Sequence, residues 1–172
     1  AGLRLEGYSP GGAAVLVDCD GTDPAHTRAR LRAAFAARGG HLGAEGSVGY
    51  LFHFVAILLY PPGSDARALR RAAIAVGAED VVIHADTSVE ILADPAECAA
   101  VRRLLERAGH APSIVETAWR AANSQALAVH AAQFTMRLME DISQFVDVRA
   151  VYSNASLPDT VLTGAAAAPK PA

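Results

Sequence analysis

Apolar residues along the chain fall into two patterns: short runs rich in β-branched side chains, and helical stripes closed by glycine. Ala13–Asp18 (AAVLVD) follows the turn Pro10-Gly11-Gly12 and reads as a buried strand. Asp23-Pro24 then opens a helix, with an acid at the N-cap and proline at the first helical position. Leu31, Ala34 and Phe35 form its apolar face and Gly39 stops it. Ser47–Phe52 and Val55–Tyr60 read as the next two strands, the second ended by Pro61-Pro62-Gly63. Ser64 caps a helix with Leu69, Ala72, Ala73 and Val76 on its inner side, closed by Gly77. Val81–His84 and Val89–Leu92 are short strands about a turn at Asp86-Thr87. Asp94-Pro95-Ala96-Glu97 has the form of a capping box. The helix it opens turns Cys98, Val101, Leu104, Leu105 and Ala108 inward and ends at Gly109. Ser113–Thr117 is a strand. After Asn123-Ser124 a long helix carries Leu127, Ala131, Phe134, Leu138 and Ile142, and Val148–Tyr152 is the last strand.

The order of these elements predicts the fold class. Residues 55–118 read β-α-β-β-α-β, a ferredoxin-like unit. Residues 13–53 read β-α-β, and residues 119–153 add a helix and a strand. The expectation is an α+β protein of two α/β sandwich domains. A ferredoxin-like domain (54–118) is inserted into a split one (1–53 plus 119–163), and 164–172 form a low-complexity tail. The 172 residues suffice for a buried core in each. The most apolar stretch, Tyr50–Tyr60, is eleven residues long and contains His53. A bilayer span needs about 20, so no membrane span is expected. The first residues, AGLRLEGY, lack the basic start and apolar core of a secretory signal. Cys19 and Cys98 have no neighbours at metal-ligand spacing, which fits a reducing compartment.

Charge narrows the partners. A net charge of −3 argues against a generic nucleic-acid binder. Between Pro24 and Ala44, however, stand four arginines and no acid, whereas residues 54–118 carry nine acids against six arginines. Any polyanion surface is therefore expected on the first helix. Arg28 and Arg32 lie one turn apart on it, with Arg38 at its end, a set able to neutralise phosphates. A solvated helix face is the bland alternative. Tyr8-Ser9-Pro10-Gly11-Gly12 is a candidate binding loop, an anion nest before a strand. It lacks the lysine and helix N-terminus of a phosphate loop, so a structural turn competes.

Arg38–Phe52 holds five glycines. Within it Gly43-Ala44-Glu45-Gly46 matches a bare GxxG clamp, but Glu45 would repel phosphate. Tyr50, Phe52 and Phe54 alternate and would share one side of a strand, as core or as a base-stacking face. Signs of catalysis are thin. The six histidines form no i, i+4 pair and no HExxH. Asp18 and Asp20 flank Cys19 and disfavour its thiolate, while Glu79-Asp80 and Glu140-Asp141 are adjacent rather than convergent. No catalytic residue, metal site or cofactor is expected.

Four segments carry a resemblance. Glu6–Ala14 (EGYSPGGAA), Phe35–Gly49 (FAARGGHLGAEGSVG), Gly77–Val81 (GAEDV) and Leu138–Asn154 (LMEDISQFVDVRAVYSN) resemble the YebC family. That family includes the mitochondrial translational activator of cytochrome c oxidase subunit I. The resemblance runs from about residue 4 to residue 163. It implies an N-terminal helical domain followed by two α/β domains, the last ferredoxin-like and inserted in the other. It also implies a non-enzymatic gene-expression factor whose partner is RNA, the ribosome or the DNA phosphate backbone. Its compartment would be the cytoplasm in a bacterium or the mitochondrial matrix in a eukaryote.

The sequence departs from the family at four points. The family's basic N-terminal helical domain is not expected within residues 1–172. The run after Phe52 is His53-Phe54-Val55, and Ala118-Trp119-Arg120-Ala121 stands before the last helix. One lysine, Lys170, accompanies fourteen arginines. These departures leave a second reading: a structural or accessory subunit on the same scaffold, with protein subunits of a larger assembly as partners.

Overall fold

The structure, a computed structural model, describes residues 2–158. The expected low-complexity tail, 164–172, and the end of the split domain, 159–163, lie outside the described residues. The elements run β1 (Leu3–Tyr8), β2 (Ala14–Cys19), α1 (Pro24–Ala37), β3 (His41–Leu42), β4 (Phe52–Tyr60), α2 (Ala66–Ala75) and β5 (Asp80–Ile83). They continue β6 (Val89–Ala93), α3 (Cys98–Arg107), β7 (Ile114–Ala121), β8 (Gln125–Ala126), α4 (Val129–Ser143), β9 (Val148–Ser153) and β10 (Ala155–Ser156). The mixture is α+β, with two four-stranded sheets built on antiparallel ladders and a short parallel pair of β8 and β10. The chain divides into two compact units: residues up to Phe52 with those from Ala121 onward, and His53–Arg120.

In the first unit the sheet order is β3-β1-β2-β9. Leu5, Val15, Val17 and Cys19 on one face pack with Leu31 and Phe35 of α1 and Leu138 and Ile142 of α4. Each of those large side chains contributes about 2 kcal/mol by leaving water. β1 was not among the strands expected from sequence. Its pattern LRLEGY alternates, sending Leu5 to the helices and Arg4 and Glu6 to the opposite face.

In the second unit the order β5-β6-β4-β7 of a β-α-β-β-α-β chain is the ferredoxin-like arrangement. Leu58, Tyr60, Val89, Ile91 and Ala93 face Leu69 and Ala73 of α2 and Val101 and Leu105 of α3. Both helices therefore lie on one side of this sheet.

Several local expectations are corrected. Ser47–Phe52 is not a strand: Gly49–Leu51 form a 3-10 turn, and β4 runs unbroken from Phe52 to Tyr60. Tyr50 is therefore off any strand and 74% exposed, Phe52 is buried, and Phe54 meets Trp119 as a tilted ring pair with centroids 5.2 Å apart. The cap of α2 is Asp65, not Ser64, accepting the Ala68 N–H at 3.0 Å. α3 starts a turn late, at Cys98, because the Asp94 carboxylate caps a tight turn by accepting the Ala96 N–H. Leu104 and Ala108 then point to solvent, while Val101 and Leu105 are buried. α4 starts at Val129, so Leu127 is buried outside the helix, and the inner stripe is Ala132, Thr135, Leu138 and Ile142.

Candidate nucleic-acid interface

α1 is held at its start by the Asp23 carboxylate, which accepts the His26 N–H at 3.1 Å, and by Pro24 in the first turn. Thr27, Leu31 and Phe35, four residues apart, form its buried stripe. Arg28 and Arg32 follow one position behind Thr27 and Leu31, roughly 100° around the helix. Among the described residues neither makes an ion pair or side-chain hydrogen bond. Arg28 also lines a cleft of about 360 Å³ together with Arg4, Glu6 and Glu45.

The other two arginines of this segment are committed to structure. Arg30 lies over the Phe145 ring, 4.2 Å from its centroid, with Nη1 3.5 Å from Asp147. Asp147 also accepts a hydrogen bond from the Thr27 hydroxyl. Arg38 does not share the face of Arg28 and Arg32. Ten residues beyond Arg28, it turns back toward the stripe of Leu31 and donates from Nε to Asp141 of α4 at 2.7 Å. That hydrogen bond raises the Arg38 pKa further. The predicted trio thus separates into a free pair and one arginine tying α1 to α4.

The candidate loop Tyr8–Gly12 is the β1–β2 turn. Two of its donors are used internally: Ser9 N–H donates to the Ala13 carbonyl at 2.8 Å and Gly12 N–H to the Ser9 carbonyl at 3.0 Å. The Tyr8 hydroxyl donates to the Ser47 carbonyl at 3.1 Å, and the Thr135 hydroxyl of α4, which donates to the Ala131 carbonyl at 2.8 Å, lies 3.3 Å from the Pro10 carbonyl. Gly11 sits at φ +86°, and a Cβ there would meet Leu127 at 2.8 Å and Ala131 at 2.9 Å. The loop docks on its own protein.

The glycine-dense segment does bind an anion, but an internal one. The Glu6 carboxylate, 5% exposed, accepts N–H donors from Gly46 (2.6 Å), Val48 (3.0 Å) and Gly49. Burial pushes its pKa up, yet these three donors, with Arg4, outweigh it and hold it below the ordinary value. A Cβ on Gly49 would stand 2.7 Å from Glu6 Oε1, so only glycine lets the backbone approach this closely. Sequence reasoning missed Glu6 because it lies 40 residues from Gly46. The GxxG resemblance fails on this geometry, since the Gly46 N–H that would meet a phosphate meets Glu6.

Cys19 is buried, and burial, then Asp147, Asp18 and Asp20, push its thiol up to about 11, so it stays protonated at neutral pH. Among the described residues no group of three or more His, Cys, Asp or Glu could hold a metal ion. No helix among them is long and apolar enough to cross a membrane.

With this geometry in hand, similarity to known proteins is informative. Residues 2–155 match the family described as TACO1/YebC second and third domain. The "Probable transcriptional regulatory protein Smlt3713" of Stenotrophomonas maltophilia is 38% identical over 156 residues, covering 90% of this chain and 64% of that protein. The "Probable transcriptional regulatory protein MCA1220" of Methylococcus capsulatus is 40% identical over 160 residues, covering 93% and 64%. The chain thus spans 64% of the length of these curated relatives. A crystal structure of the conserved hypothetical protein Aq1575 from Aquifex aeolicus superposes with TM-score 0.81 at 30% identity, covering 94% of this chain and 67% of that one.

Proposed function

The chain belongs to the TACO1/YebC family, and from that premise we propose that it is a regulator of gene expression that docks on nucleic-acid phosphates without chemistry of its own. The observation carrying this reading is the division of labour among the arginines of α1. Arg30 and Arg38 are spent on Asp147 and Asp141, whereas Arg28 and Arg32 keep their charge for a partner. The regulatory names of the bacterial relatives support the class of activity. The partner on this reading is RNA or DNA, met in the cytoplasm.

Two guanidiniums, each taking one phosphate, add about −1.4 to the salt slope of binding to a single strand, or about −1.8 on duplex DNA. Fluorescence anisotropy against labelled RNA and DNA across 50–300 mM salt tests this. The R28A/R32A double variant should lose that part of the slope, and R38A should keep it. Equal loss in R38A, or no binding by the parent at low salt, would refute the reading. In the latter case a stoichiometric protein partner on co-purification would favour the accessory-subunit alternative.

A further inference from the structure

The ferredoxin-like unit carries a second charged surface. Chain counting makes residues 54–118 acidic, but folding sorts the charges. All six arginines lie on the two helices, whose sequences ARALRRAAIA and CAAVRRLLER include a single acid, giving that layer a net charge of +5. Of the remaining acids, Asp65 and Glu97 stand at the N-caps of α2 and α3, Asp94 caps a backbone turn, Asp86 closes the β5–β6 turn, and Glu90 pairs with Arg120 at 2.7 Å. Glu90 lies between Val89 and Ile91, which face the helices, so its own side chain is on the opposite side of the sheet.

α2 and α3 bury Leu69, Ala73, Val101 and Leu105 in one core, so their outer sides form a common layer. Arg67, Arg70, Arg71, Arg103 and Arg107 are all exposed there. None of the five makes an ion pair among the described residues, whereas Arg102 is held by Glu106 at 2.8 Å. Helical spacing sets Arg67 beside Arg70 and Arg71, and Arg103 beside Arg107, with roughly 5–6 Å between their Cβ atoms. Unpaired like charges this close repel one another, and an approaching polyanion relieves that cost.

We infer that the outer layer of α2 and α3 is a second docking surface for the phosphate backbone of a nucleic acid. The inference rests on the nucleic-acid reading proposed above and adds a separate contact surface to it. On α2 the residues flanking the arginines are mostly alanine, leaving a low surface that a phosphate chain can approach closely. The large exposed apolar side chains are Ile74 and Leu104, one on each helix, with no aromatic anchor. Protein interfaces centre on buried aromatic hot spots, which this layer lacks. Guanidinium forks, in contrast, match phosphate oxygens directly.

The test uses the full 172-residue chain and a 20-nucleotide oligouridylate. Five contacts add about −3.5 to the salt slope, and removing three takes away about 2 of it. On the R28A/R32A background, binding should persist, and adding R67A/R70A/R71A should flatten the slope by that amount and weaken binding at least tenfold at 50 mM salt. R102A, whose guanidinium is already engaged, should leave the slope unchanged. These side chains are exposed, so thermal midpoints should match the parent and certify the fold. If R28A/R32A alone abolishes binding and the α2 variant matches the parent, the second surface is refuted while the first reading stands. If the parent binds no oligouridylate, both fall. If the α2 variant loses polyglutamate binding but keeps RNA affinity, the layer faces an acidic protein and the inference is overturned.

Discussion

Replacing Glu6 by alanine should loosen the glycine-dense segment more than any surface change. The carboxylate serves three backbone donors: Oε2 accepts from Gly46, and Oε1 from Val48 and Gly49. Val48 is fully buried, so its orphaned N–H costs about 1–3 kcal/mol. Gly46 is exposed and Gly49 half-buried, so water replaces part of their loss, at about 0.5–1.5 kcal/mol each. The sum is about 4 kcal/mol for E6A. Glutamine with its carbonyl at the Oε1 position keeps Val48 and Gly49 and presents an NH2 to Gly46, so E6Q should cost about 1.5 kcal/mol. Urea unfolding at pH 7 reads both, and amide exchange at Val48 should accelerate in E6A. The pH dependence has a definite sign. Glu6 in the folded protein titrates below its ordinary value of 4.5, so its contribution is complete above the unfolded pKa and is lost as pH falls through the depressed folded value. The gap between parent and E6A should therefore close in acid. An E6A variant within 0.5 kcal/mol of the parent, or an E6Q variant as unstable as E6A, would refute this division among the oxygens.

Gly49→Ala forces a Cβ to 2.7 Å from Glu6 Oε1 and should cost about 1–3 kcal/mol, read by the same melts. Gly11→Ala combines a φ of +86° with contacts under 3 Å to Leu127 and Ala131 and should lower the thermal midpoint by several degrees. Asp147→Ala removes the acceptor of the Thr27 hydroxyl and the partner of Arg30, and should destabilise by about 1–3 kcal/mol. Its RNA affinity, corrected for unfolding, should not fall below the parent value, since Arg28 and Arg32 are untouched and Arg30 is left without its acidic partner. Cys19 should resist thiol reagents in the native protein at pH 8 and react only after denaturant is added, which a timed thiol assay resolves.

Much of the fold was legible because its signals are local. Proline at the start of α1, β-branched runs in β2 and β4, and glycine stops after α1, α2 and α3 act on backbone angles within a few residues. The ferredoxin-like order could be read from the succession of such elements. Segments whose conformation is set from a distance were misread. Ser47–Phe52 alternates like a strand, yet its Val48 N–H reaches a carboxylate 42 residues away, and β1 is recognisable only through its pairing with β2. The same holds for the candidate interface. Arg28, Arg32 and Arg38 look equivalent along the chain, and only α4 distinguishes them, through an acid 103 residues from Arg38. Residues 54–118 count as acidic, yet folding sends their arginines to the helices and most of their acids to turns and strands. Sequence by itself determined where backbone elements begin and end, since those preferences arise between near neighbours. The tertiary structure decided which charges are neutralised and which remain exposed, because ion pairs depend on distances that exist only once the chain has closed on itself.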